Sequence, residues 1–112
     1  LRPSNLSPQA IRDIDRAVDD IAASAAGPAF ADRFATAVAD AAEFVARRPL
    51  LGHRRLALLP GRFRFMAVKG FAYLLVYNAE HPARPVLRVV YMGRDLAPLL
   101  ADLQNTSDEP EA

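Results

Sequence analysis

Six side chains in the second half of the chain, Arg62, Arg64, Lys69, Arg88, Tyr91 and Arg94, are of the types that cleave RNA without a metal. Cations stabilise a pentacoordinate phosphate, and a phenol or a basic group assists proton transfer from the 2′-hydroxyl. No other catalytic constellation stands beside them. His53 and His81 lie in loops with no partner at metal-ligand spacing, and without cysteine there is no thiolate zinc site, disulfide or thiol nucleophile. The serines lack the glycines of a nucleophile elbow, and Gly27, Gly52, Gly61, Gly70 and Gly93 stand singly at breaks rather than in a phosphate-binding loop. Catalytic metal and cofactor residues are therefore read as none.

Charge is segregated along the chain. Residues 1–46 carry four Arg against seven Asp/Glu, residues 47–94 ten Arg/Lys against Glu80 alone, and residues 95–112 five acids and no base. A basic middle between acidic flanks points to an acidic partner for the middle segment. The mixture of 52% hydrophobic and 24% charged residues is that of a globular domain. With neither a long apolar run nor an apolar N-terminal stretch, the expected setting is the cytoplasm, with no membrane contact.

The elements that must position these residues follow from periodicity. Ser7-Pro8 reads as a helix start, and Ile11, Ile14, Val18 and Ile21 then share one face. Gly27-Pro28 breaks this helix, a second one carries Phe30, Phe34, Val38, Ala41 and Val45 on one stripe, and Pro49 closes it. Two such helices joined by a short turn form an antiparallel hairpin. After an irregular stretch ending at Pro60-Gly61 the period changes to two. "RFRFMAV" sets Arg62, Arg64, Met66 and Val68 against Phe63, Phe65 and Ala67; a tight Lys69-Gly70 turn leads into "FAYLLVYNA"; and Val86 to Met92 forms a third strand. The expected fold is α+β: a two-helix hairpin packed on a small antiparallel sheet, with a short C-terminal helix from "LAPLLADL". Residues 1–104 are read as one domain and 105–112 as a flexible acidic tail.

The second and third strands have no polar face. Strands apolar on both sides expect cover on both, and the hairpin covers one. The other face is thus expected to lie open, rimmed by Arg62, Arg64 and Arg88, as a groove for a protein.

From "LSPQAIRDIDRAVDDIA" through "RRPLLGHRRLALLPGRFRFMAV", "FAYLLVYNA" and "VLRVVYMGRDLAPLL" the chain resembles toxins of the RelE/ParE superfamily of toxin–antitoxin systems. The shared features are the Leu-Ser-Pro helix start, the hairpin, Pro49 with Gly52 three residues on, the Pro60-Gly61 turn, the "Y-L-x-x-Y" strand and the final strand running into Arg94-Asp95. They cover about Leu6 to Leu103. The resemblance implies either a ribosome-dependent messenger-RNA nuclease of RelE type, using Arg62, Arg64, Lys69, Tyr91 and Arg94, or a non-enzymatic ParE-type inhibitor of DNA gyrase associated with plasmid stabilisation. Leu74 stands where RelE-like nucleases carry an Arg, and Tyr91 where many members carry His, so the ParE branch is favoured. A non-toxic binding module on the same scaffold is the third reading. A ParD-like antitoxin is implied as partner, with operator DNA bound only through it. The contact residues expected for the antitoxin are Arg62, Arg64, Met66, Tyr73, Leu75, Tyr77 and Arg88.

Overall fold

The computed structural model describes residues 3–104. The expected acidic tail, 105–112, lies outside the described residues. Helix α1 spans Pro8–Ala23 and α2 Gly27–Arg47; a 3-10 turn follows at Pro49–Leu51, then strands β1 Phe63–Ala67, β2 Tyr73–Asn78 and β3 Val86–Tyr91, and two helical turns, α3 Leu96–Leu99 and α4 Ala101–Gln104. The α+β arrangement is the one expected.

Local chemistry sets the element ends. The Ser7 hydroxyl caps α1 by accepting the Ala10 N–H at 3.0 Å, with Pro8 in the first turn; such a cap is worth about 1 kcal/mol. Gly27 begins α2 with φ +83°, a conformation that favours glycine. The hairpin closes tightly because α1 presents Ala10 and Ala17, both fully buried, between the half-buried Ile14, Val18 and Ile21. From α2 come Ala31, Phe34, Val38, Ala42 and Val45.

The sheet is an antiparallel meander in the order β1-β2-β3. The β1–β2 connection is wider than a two-residue turn: the Val68 N–H donates to the Tyr73 carbonyl, and Gly70 takes the positive φ within the loop. Strict alternation along β3 does not hold either. The register slips between Val76 and Tyr77, so Val76 faces Arg88 while Tyr77 faces Val86. This bulge puts Val86 and Val89 together on the hairpin side and Leu87 and Val90 on the other.

The expectation of an open sheet face is corrected by the structure. Phe63, Phe65, Leu74, Val76 and Val90 are buried on the face away from the hairpin, beneath Leu58, Leu59, Leu96, Leu99, Leu100 and Leu103. The cover is the chain's own. Leu96, Leu99, Leu100 and Leu103 recur at helical spacing, so even two short helical turns present a continuous apolar stripe. The sheet is the middle layer of three.

Both sheet edges are also occupied. Along β3, the Ser7 N–H donates to the Val86 carbonyl, the Val86 N–H to the Asn5 carbonyl, and the Val89 N–H to the Asp13 carboxylate. Along β1, His53 and Phe65 exchange backbone hydrogen bonds of 2.9 and 2.8 Å. Strand addition at these positions is thereby blocked.

Candidate protein-docking surface

The structure scatters the seven residues first read as antitoxin contacts. Met66, Tyr73, Leu75 and Tyr77 all belong to the core under the hairpin, and Leu75 and Tyr77 are completely inaccessible. Arg64 is turned inward, its Nη1 donating to the carbonyls of Leu50 at 3.1 Å and Gly52 at 2.9 Å. Arg62 lies over the Phe63 ring at 4.5 Å. Arg88 reaches across the β3 edge: Nε and Nη2 donate to the Asp13 carboxylate on one side, and Nη1 to the Leu99 carbonyl on the other. These residues hold the layers together and do not form one continuous surface. A residue's position on an apolar strand does not by itself say what covers it.

The five residues of the nuclease reading are also split. Arg62 and Arg64 sit at the end of the sheet where Arg64 pairs with Tyr77, whereas Lys69 lies in the loop at the opposite end, where Tyr73 pairs with Tyr91. Four residues of strand separate the levels of Arg64 and Val68, roughly 13 Å at the usual rise. With Arg64 committed to backbone carbonyls, the two groups do not converge on one phosphate. Tyr91 remains half-exposed, its ring 5.4 Å from Tyr73 at the end of a series running through Phe34, Phe71 and Phe30. Burial, Asp20 and the neighbouring Tyr91 all push the Tyr73 phenol upward. Among the described residues no group of three His, Asp or Glu is placed to hold a metal. The groove between α1 and α2, about 380 Å³, is lined mainly by apolar side chains, Leu6, Ile11, Ile14 and Val18 among them, with Asp15 and Thr36 as its polar groups.

A different surface emerges after α2. Leu50, Leu51 and Leu56 are 68%, 55% and 69% exposed, and Phe44 lies half-open at the end of α2. Around them Arg47, Arg48, His53, Arg54 and Arg55 are exposed, and no carboxylate occurs between Glu43 and Glu80. Single exposed leucines are ordinary, but Leu50 and Leu51 are adjacent and Leu56 follows beside Arg54 near Gly61, within a stretch whose charged side chains are all basic.

The backbone beneath this group is fixed. The Tyr77 hydroxyl donates to the Pro49 carbonyl at 2.6 Å and accepts the Gly52 N–H at 3.0 Å. Arg64 takes the carbonyls of Leu50 and Gly52, and His53 is bridged to Phe65. Residues 49–53 are therefore bound to the sheet from below while Leu50 and Leu51 point away. Gly52 has an ordinary φ of −71° and is needed for space: a Cβ there would fall on the Tyr77 hydroxyl and 3.0 Å from the Phe65 carbonyl. The sequence signal was present in "RRPLLGHRRLALLPG", where leucines interrupt a run of arginines, but the stretch reads as irregular because it has no period.

Burial raises the Tyr77 phenol above its ordinary 10.0, offset in part by the Gly52 N–H and by Arg64. A raised folded-state value means that the unfolded chain ionises first, so this contribution to stability is complete below about pH 10 and is lost as pH climbs through the folded value. Urea denaturation between pH 8 and 11 should show a shallower alkaline loss for Tyr77→Phe than for the parent; parallel curves would remove the phenol from the linkage.

No helix among the described residues is long and apolar enough to cross a membrane. Residues 5–96 match the family model described as ParE toxin of type II toxin-antitoxin system, parDE. No curated protein matches the chain.

Proposed function

The chain belongs to the ParE toxin family of type II toxin–antitoxin systems, and from that premise we propose that it inhibits DNA gyrase in the cytoplasm and is neutralised by a ParD-like antitoxin bound to its surface. Operator DNA is reached only through the antitoxin. The observation that supports gyrase over the ribosome is the separation of Arg62 and Arg64 from Lys69, Tyr91 and Arg94 across the length of the sheet, together with Leu74 buried where a nuclease would need a basic side chain. A metal-free nuclease requires its cations and its proton donor on one phosphate.

The test is a pair of assays on the purified protein. Supercoiling by gyrase is expected to fall with increasing protein, while messenger RNA in a translating extract stays full-length. Intact supercoiling with truncated transcripts would reverse the assignment. Absence of both effects, with harmless expression, would point to a binding module that has lost its toxicity.

A further inference from the structure

We infer that the Leu50–Leu51 turn, with Leu56 and the arginines of the same loop, is the surface that binds an acidic, apolar-anchored segment of the antitoxin; this rests on the function proposed above. Three physical features favour such an occupant. The leucines offer apolar anchors at fixed positions, because Tyr77, Arg64 and the His53–Phe65 bridge already hold residues 49–53. A partner therefore meets little ordering entropy on the toxin side. Arg48, Arg54 and Arg55 stand in a stretch, residues 44–79, that holds no carboxylate, and Arg47, one helical turn after Glu43, lies in the last turn of α2, where its charge complements the negative end of the helix dipole.

Other occupants fit less well. A nucleic acid would use the arginines but not the leucines, and Leu50, Leu51 and Leu56 provide no aromatic ring on which a base stacks. A second copy of this chain presents acids on the hairpin, Asp19, Asp20, Asp32 and Asp40 among them. However, residues 44–56 amount to only about half the 20–30 residues that a stable globular interface takes from each side. A peptide segment that continues over other parts of the toxin needs no more than this.

The experiment measures binding of the purified protein encoded by the adjoining reading frame to three forms of the toxin: parent, Leu50→Ser/Leu51→Ser and Arg47→Glu/Arg48→Glu. The leucine side chains are exposed, so that variant is expected to keep the parent's melting temperature. The arginine variant, which places negative charge at the C-terminal end of α2 and four residues after Glu43, is expected to melt a few degrees lower while staying folded at the assay temperature. Both are expected to keep gyrase inhibition. Leu56→Ser serves as a second apolar variant if the double substitution lowers the melting temperature. The leucine variant is expected to bind at least about 50-fold more weakly, chiefly through faster dissociation. The arginine variant is expected to associate more slowly, with the difference vanishing at high salt.

Antitoxin affinity in the leucine variants within about twofold of the parent overturns the inference. If gyrase inhibition is lost while antitoxin binding persists, the surface belongs to the target; if a parent dimer becomes monomeric with antitoxin binding unchanged, it belongs to a second copy. Both results overturn it. Failure of the parent itself to bind the adjoining gene product would instead sink the proposed function, so the two ideas fail separately.

Discussion

Replacing Asp13 with alanine is expected to lower the unfolding free energy by about 2–4 kcal/mol, somewhat less than the usual cost of leaving one half of a fully buried ion pair alone. Asp13 is only 11% exposed and its Arg88 partner 17%. The carboxylate accepts from Arg88 Nε at 2.7 Å, from Arg88 Nη2 at 3.2 Å, from the Val89 N–H at 2.9 Å and from Gln9 Nε2 at 3.0 Å. Alanine would strand both a half-buried guanidinium and an edge N–H of β3. Because Arg88 also holds the Leu99 carbonyl, the damage should spread from the hairpin layer to the C-terminal turns. In a domain of this size the loss corresponds to a melting temperature lower by about 10–25 °C. Asp13→Asn keeps an acceptor for the Val89 N–H and should lose clearly less. Thermal denaturation of the two variants against the parent is the measurement, and an alanine variant within about 1 kcal/mol of the parent would show the pair to be dispensable.

Gly52→Ala should cost about 2–5 kcal/mol, combining overpacking with broken hydrogen bonds. The added methyl collides with the Tyr77 hydroxyl and approaches the Phe65 carbonyl, so either the phenol or the turn must move. Movement of either breaks the bonds from Tyr77 to Pro49 and from Gly52 to Tyr77. Tyr77→Phe alone should cost about 1–3 kcal/mol by leaving the Gly52 N–H without its acceptor. The double variant is the sharper test. Removing the hydroxyl also removes the main collision, so the two losses should fall short of additivity by at least about 1 kcal/mol. Additive losses in urea denaturation would mean that the glycine is not accommodating the phenol. The same variants should bind the antitoxin more weakly if the turn must be held in place to present Leu50 and Leu51.

These two sites also show why strand position alone does not place a polar side chain. Arg64 and Arg88 stand in apolar strands, and an arginine there has two physical outlets: outward to a partner, or inward to carbonyls and carboxylates of the same chain. Strand parity does not distinguish them. Tyr77 raises the same ambiguity, since an aromatic strand residue with a polar tip suits an interface as well as a buried hydrogen bond. Reversing Arg64 to Glu would therefore report mainly on the fold, because its Nη1 is bonded to Leu50 and Gly52.

The sequence by itself determined the local elements and their order. Ser7-Pro8 started α1, Gly27-Pro28 separated the helices, Pro49 ended α2, period-two alternation marked the first strand, and apolar runs rich in β-branched and aromatic residues marked the other two. Each of these is decided by neighbours within a few residues, through capping, backbone restriction and side-chain direction. Only the tertiary structure decided which apolar faces stay covered. The leucines of α3 and α4 seal the far side of the sheet, a bulge at β3 changes which residues share a side, and Tyr77 with Arg64 fixes a turn whose leucines remain in water. Burial depends on segments distant in sequence arriving at the same place, so a pattern can say that a side chain is apolar while the packed chain alone says whether water still reaches it.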